Sequence, residues 1–349
     1  MKLVALLVAL VLVSATPMCA TAESTDGAPP TAVRSVNLAM GQPAADNTPV
    51  RRAALVQPAV MDFDGDGKTD YVVARTTGNN ITWYLQRSAL GFAGVPWGSA
   101  GDKCVPADYD GDHKWDIAVW RPGAQSVFYI LQSLTNTLLS VPFGITGDDP
   151  LISQDFDGDG KADPAVVRSN GAALTWYILR SSLGFTAINF GLSANDATTR
   201  GDFDGDGKAD VAVYRTGAGS PTNTYFVLRS SNGQVQAQNW GEWTADYLMP
   251  ADFDGDGKTD YAVFRFNGAV LGAWYWLDSA TGTFHQLNFG APGDVPAPGD
   301  YDGDGKSDQA VWRTGAPGTF YVNRSLLGFT AVPFGTMGDR VVGFDLQAR

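Results

Sequence analysis

Cysteine and histidine are nearly missing from this chain. Its 349 residues hold two of each, Cys19 and Cys104, His113 and His285. Cys19 falls in an N-terminal leader, and a single remaining cysteine builds no disulfide framework. Cys104 is therefore expected to be a small buried hydrophobe. Nucleophilic or acid-base catalysis usually draws on His, Cys or an uncommitted carboxylate pair. The two histidines lie in different parts of the chain and neither has a recognisable triad context, so no catalytic residue is assigned. Positive charge is also scarce: 24 Lys and Arg face 37 Asp and Glu, for a net charge of −13. A chain this acidic is a poor nucleic-acid binder. Long apolar runs are absent after the leader. Lys2, the apolar stretch Leu3 to Val13 and Ala20-Thr21-Ala22 read as a secretory signal peptide over residues 1–22. The stretch is too short to span a bilayer, and no later segment is apolar enough, so the mature chain is expected outside the cytoplasm, extracellular or periplasmic, with no transmembrane segment. Helical periodicity is missing throughout.

What is present is a repeat. Asp62-Phe63-Asp64-Gly65-Asp66-Gly67-Lys68-Thr69-Asp70 recurs with small changes from Asp108, Asp155, Asp202, Asp252 and Asp300, at steps of 46 to 50 residues. A fixed period of that size marks a repeat architecture. Each loop follows a short extended segment, as at Val105-Pro106-Ala107, and precedes an alternating run such as Ile117-Ala118-Val119-Trp120-Arg121. Period-two patterning with β-branched and aromatic residues signals a strand. A third segment carries an aromatic pair (Trp83-Tyr84, Phe128-Tyr129, Trp176-Tyr177, Tyr225-Phe226, Trp274-Tyr275, Phe320-Tyr321), and a fourth ends in aromatic-Gly, as at Trp97-Gly98 and Phe143-Gly144. Four short strands per repeat predict an all-β β-propeller of four-stranded blades over residues 51–345. A β-helix or a linear array of hairpins is the alternative. Six blades are favoured, one acidic loop in each, with seven as the other count. Residues 23–50 form an N-terminal segment with a candidate closing strand near Val33 to Gly41. Val341 to Asp345 resembles the start of a further unit.

The loops hold 24 of the 37 acidic residues. Carboxylates recur at position 1 (Asp62, Asp108, Asp155, Asp202, Asp252, Asp300), position 3 (Asp64, Asp110, Asp157, Asp204, Asp254, Asp302), position 5 (Asp66, Asp112, Asp159, Asp206, Asp256, Asp304) and position 9 (Asp70, Asp116, Asp163, Asp210, Asp260, Asp308). Alternate residues of a tight turn aim hard oxygens at one centre, which suits Ca²⁺ with its six to eight oxygen ligands; Mg²⁺ favours fewer carboxylates and retained water. About six Ca²⁺ ions are expected. An EF-hand is excluded, because position 12 is Val73 and its equivalents, not Glu. The second loop has His113 where the others have Gly, a cost in the left-handed region, and is expected to be the weakest site.

The pattern Asp-x-Asp-x-Asp-Gly-x-x-Asp, with the Phe-Gly and Gly-Asp landmarks, resembles the FG-GAP or VCBS repeats of integrin alpha-chain propellers and some fungal lectins. The resemblance covers about residues 50 to 345. It implies a calcium-bearing propeller whose ligands are the aspartates above and the position-7 carbonyls of Lys68, Lys114, Lys161, Lys208, Lys258 and Lys306. It does not define a function, since one fold hosts many.

One arginine recurs after each second strand (Arg75, Arg121, Arg168, Arg215, Arg265, Arg313) and is read as architectural, paired with a linker aspartate such as Asp102 or Asp148. Of ten tryptophans, Trp115, Trp243 and Trp276 stand outside the repeat slots. With Glu242 they are the candidate ligand-binding residues, since exposed aromatics stack on sugars or anchor partners; local packing is the competing reading. The expected function is a secreted binding or adhesion module for glycan or an extracellular or cell-surface protein. A polysaccharide-lyase-like enzyme and a purely structural scaffold are the alternatives.

Overall fold

The computed structural model describes residues 60–216, 223–242, 246–267 and 271–343. Blade 1 holds β1 (Tyr71–Thr77), β2 (Asn80–Arg87) and β3 (Gly91–Ser99), and blade 2 holds β4 (Lys103–Cys104), β5 (Ile117–Arg121), β6 (Val127–Leu131) and β7 (Leu138–Pro142). Blade 3 is β8 (Ala165–Asn170), β9 (Ala173–Arg180) and β10 (Gly184–Leu192). Blade 4 is β11 (Asp196–Thr199), β12 (Val211–Arg215), β13 (Thr224–Leu228) and β14 (Val235–Asn239). Blade 5 is β15 (Asp246–Leu248), β16 (Tyr261–Asn267), β17 (Leu271–Leu277) and β18 (Phe284–Asn288). Blade 6 is β19 (Val295–Pro296), β20 (Gln309–Arg313), β21 (Thr319–Arg324) and β22 (Gly328–Pro333), and β23 (Arg340–Val341) returns to β1. All pairings are antiparallel. The protein is an all-β, six-bladed propeller.

The first strand of each blade is short and begins slightly before the segment read from the sequence. In blade 2, β4 pairs with β5, and Val105 to Ala107 extends that ladder through Val105 N–H to Ala118 O and a bridge from Ala107 to Asp116. In blade 3 this strand is reduced to isolated bridges, Asp149 to Val167 and Gln154 to Asp163; between them the Leu151 N–H turns to Asp149 Oδ1 and the Ala165 N–H to Ser153 Oγ.

Burial follows strand order. β5 and β20 are buried on both faces over four residues, because each lies between two neighbouring blades. In the third strands burial alternates, as in β6 and β13. The core is accordingly six clusters, each shared by two adjacent blades: Trp83 of blade 1 packs with Val119 of blade 2, and Trp120 of blade 2 with Val166 of blade 3. Trp83, Trp120, Trp176 and Trp274 are fully buried, and their indole N–H groups donate to the carbonyls of Trp97, Phe143, Phe190 and Phe289. The aromatic-Gly slot has a steric cause. Gly98 has φ +109, and a Cβ there would lie 2.9 Å from Val119 of the next blade.

The C-terminal end closes the ring. Val341 and Arg340 pair with Val73 and Ala74, and Val341 joins Ala310 and Trp312 of blade 6 in one cluster. The segment read as the start of a further unit thus supplies the first strand of blade 1, and the described residues form no seventh blade. The leader, the segment 23–50 with its candidate closing strand, and residues 344–345 lie outside the described residues.

The recurring arginine does pair with the linker aspartate in all six blades: Arg75–Asp339, Arg121–Asp102, Arg168–Asp148, Arg215–Asp196, Arg265–Asp246 and Arg313–Asp294. Each guanidinium also lies 4.4 to 4.8 Å over a third-strand ring, Tyr or, in blade 4, Phe226. The same aspartates cap the preceding turn, as Asp102 does for the Ser99 N–H. Asp339 performs this role for Arg75 across 264 residues of sequence. Cys104 is buried, as expected, and in no disulfide, and accepts from Arg340 Nη2 at 3.0 Å.

Candidate metal centre

Each acidic loop leads into the second strand of its blade, from the first strand in blades 2 to 6 and ahead of β1 in blade 1, where β23 supplies the first strand, and its aspartates divide the work by position. The position-1 carboxylate folds the loop around itself. Asp62 accepts from Gly65 N–H at 2.6 Å and Gly67 N–H at 2.8 Å. His113 makes the equivalent bond to Asp108 at 2.8 Å with φ +66, so the second loop keeps its shape despite the substitution. The position-9 carboxylate is buried and ties the loop to the rest of the blade. Asp70 accepts from Phe63 N–H and Ser88 N–H, both at 2.8 Å. The position-3 carboxylate binds the turn between the third and fourth strands: Asp64 Oδ2 accepts from Ala89 and Leu90.

That turn carries a partner which motif reading missed. Ser88 donates its backbone N–H to Asp70 and its hydroxyl to Asp66. Ser133, Ser181, Ser230 and Ser325 repeat both bonds to their own positions 9 and 5, and Ser279 repeats the backbone bond to Asp260. The sequence held a signal for it, a serine 17 to 20 residues after each position-9 Asp.

The six loops also bond to one another. The position-8 N–H of each donates to the position-1 carbonyl of the loop before it: Trp115 to Asp62, Ala162 to Asp108, Ala209 to Asp155, Thr259 to Asp202, Ser307 to Asp252 and Thr69 to Asp300, at 2.6 to 2.7 Å. The last bond closes the circle. The position-7 lysine stem of each loop lies across the position-4 glycine of the loop before it. At Gly65, φ is +78 and an added Cβ would sit 3.0 Å from the Lys114 stem, so only glycine fits both the turn and the neighbour.

Charge in the loops is not balanced by protein. Burial pushes the position-9 carboxyls up, to about 7 for Asp70, Asp163, Asp260 and Asp308 and to about 6 for Asp116 and Asp210. Neighbouring carboxylates add to the rise, and amide donors oppose it. Oxygens from three aspartates converge within 4.8 Å in each cluster, for example Asp62, Asp64 and Asp66, or Asp155, Asp157 and Asp163. One oxygen in four of the loops has no hydrogen-bond partner although buried: Oδ1 of Asp64, Asp157, Asp204 and Asp302. An unpaired buried carboxylate oxygen is costly. A hard divalent cation would satisfy it and offset much of the cluster's negative charge, so the donor set fits such an ion.

The candidate ligand-binding residues separate. Trp115 is half-buried, packed on the core between blades 1 and 2, with its ring edge-on to Phe63 at 6.5 Å. Trp276 pairs with Ala262 as Leu85 pairs with Val72, so it fills a repeat slot and does not stand outside one. Its ring stacks on His285 at 4.9 Å, and His285 Nε2 lies 3.0 Å from Asp278 Oδ2. Glu242 is exposed and pairs with Arg265 at 3.2 Å. Trp243 lies outside the described residues. Among the described residues, Trp115, Trp276 and Glu242 are not brought together into one site.

Fold and loops together define a propeller with an oxygen-ligand loop in every blade. Residues 62–119, 155–213 and 252–340 match the model of the FG-GAP-like repeat. These regions exceed half of the chain, and the chain belongs to that family. No curated protein sequence matches it. Among solved structures it is similar to AofleA from Arthrobotrys oligospora, at 10% identity over 81% of this chain and 88% of that one, with a TM-score of 0.49. The six-bladed Aleuria aurantia lectin, described as having a novel fucose recognition mode, is 10% identical over 81% and 98%, with a TM-score of 0.44. A putative 6-phosphogluconolactonase from Bacteroides fragilis is 12% identical over 80% and 97%, at 0.43. Such low identities and TM-scores say nothing about this chain's ligand.

Proposed function

We propose that the protein is a secreted binding module, a calcium-stabilised propeller that presents its surface to glycan or protein ligands outside the cell. The observation that carries this reading is the closed circle of six acidic loops with converging, partly orphaned carboxylate oxygens. In each loop the aspartates at positions 1, 3, 5 and 9 and the carbonyl of the position-7 lysine would hold one Ca²⁺. The ion would supply positive charge that locks two turns of the blade together. Because the loops also bond to each other, such ions brace the whole ring.

Binding is favoured over catalysis by how the chemistry-bearing groups are spent. Among the described residues, His285 is committed to Asp278 and Trp276, His113 stands in a loop turn, and most carboxylates outside the loops serve the arginine pairs. The test is an array of glycans and extracellular proteins probed with the mature protein in calcium and in chelator. Calcium-dependent retention of one ligand class is the expected result. Turnover of an acidic polysaccharide, read as absorbance of unsaturated products, would replace this reading with the lyase, and an inert surface with the scaffold.

A further inference from the structure

The six blade interfaces are not alike. In the interface between blades 6 and 1, Tyr71, the first residue after its loop, stacks on Tyr301 at 5.0 Å. Between blades 4 and 5, Tyr261 stacks on Phe203 at 5.3 Å. The corresponding residue between blades 3 and 4 is Val211, facing Phe156. Val211 lines a cleft of about 310 Å³ there, within the range of small-ligand pockets; Ile117, Pro164 and Gln309 take the same position at the three remaining interfaces. Phe156 is half-buried at its edge, and it makes no ring stack among the described residues.

Three cations line the cleft, Arg180 of blade 3 with Lys208 and Arg229 of blade 4, and no carboxylate lines it, in a chain of net charge −13; Arg229 is engaged by Gln236 Oε1 at 2.9 Å. Arg180 is held in place by donating to the carbonyls of Gly184 at 3.1 Å and Leu183 at 3.3 Å. Among the described residues it pairs with no acid. Arg324 makes the same two backbone bonds at the interface that Tyr71 fills. The arginine is thus a feature shared with blade 6, and at the interface of blades 3 and 4 it lines the cleft.

We infer that the cleft between blades 3 and 4 binds an anionic sugar residue, a uronic acid or a sulfated pyranose. The apolar face of the ring lies on Phe156, Ile178 and Val211, and its anionic group meets the Arg180 guanidinium with Lys208 adding charge. This rests on the binding-module reading and names its ligand class and site.

The test is calorimetry on the calcium-saturated protein with methyl glucuronoside, its methyl ester, and the 6-sulfate of methyl glucoside. The wild type should bind at least one of the acids, about tenfold or more tightly than the ester, and the ratio of the two acids assigns carboxylate or sulfate. Val211→Tyr installs the ring that Tyr71 and Tyr261 already carry and should abolish binding. Arg180→Gln should weaken it about tenfold. Both variants should melt within about 2 °C of wild type in calcium, which separates loss of the site from loss of the fold. Equal binding of acid and ester, or acid binding that survives Val211→Tyr, overturns the inference. If neither acid binds and the array shows retention of neutral glycans or proteins, the cleft assignment falls and the binding module stands. If the array shows nothing, both fall.

Discussion

At the loops that begin with Asp62 and its five counterparts, each unit is bonded to the next by the same amide, the same lysine stem and the same glycine. At the fourth strands nothing so uniform holds. Phe92, Phe185, Phe284 and Phe329 stand more than half exposed, while blades 2 and 4 place Leu138 and Val235 there. A change in one loop propagates to its neighbour through that shared amide and stem, so the loops tolerate little variation. The outer strands meet water and carry the differences between blades. The lesson is that repetition marks what supports the ring, and departures from it mark where the blades present different surfaces.

Calcium removal is the strongest way to break the comparison. With an extracellular-type dissociation constant of about 10⁻⁴ M, each site adds about 1.4 kcal/mol at about 1 mM calcium. Six sites then add about 8 kcal/mol, on the order of a domain's whole stability. Scanning calorimetry in excess chelator should show the melting temperature falling by more than about 10 °C; an unchanged trace would remove calcium as the brace.

Ring closure comes next in size. Asp339→Asn leaves Arg75 without its acid and loosens the C-terminal strand from β1, at an expected cost of about 2 kcal/mol by urea denaturation. Asp148→Asn removes the equivalent pair within an uninterrupted stretch of chain and should cost less. Equal costs would mean that the returning strand is no weaker than the other joints.

His113→Gly relieves a left-handed histidine at about 1 kcal/mol or less. Calcium titration should show the second loop strengthened toward the others. A second loop already as tight as its neighbours in the wild type would count against any penalty from His113.

The smallest effect belongs to the outer rim. Phe92→Ser, at 63% exposure, should move stability by no more than about 0.5 kcal/mol. A larger loss would show that the edge contact of Phe92 with Phe334 across the blade 6–blade 1 interface supports the ring.

The class of fold, the strand count per blade, the loop positions and the arginine–aspartate pairing were legible because they recur: five copies of Asp-x-Asp-x-Asp-Gly-x-x-Asp and a sixth with His113 for the Gly leave few alternatives, and period-two patterning reports burial directly. Trp276 was misread as off-repeat because a tryptophan where other blades carry Leu, Ile or Val looks like an insertion until the pairing with Ala262 sets its register. The serine tether was visible as a spacing, but its role depends on a turn folding back over the loop. The cleft was not legible, since Val211 is unremarkable in a strand.

Local chemistry alone therefore determined that this chain folds into acidic-looped β units, because ligand spacing and alternation act over a few residues. Only the tertiary structure decided how many units close the circle, that Arg340–Val341 supplies the missing strand, that each loop bonds to the next, and that a cleft opens between blades 3 and 4. Those outcomes depend on contacts between residues tens to hundreds of positions apart, where side-chain volume and the return of the chain end settle what no local pattern encodes.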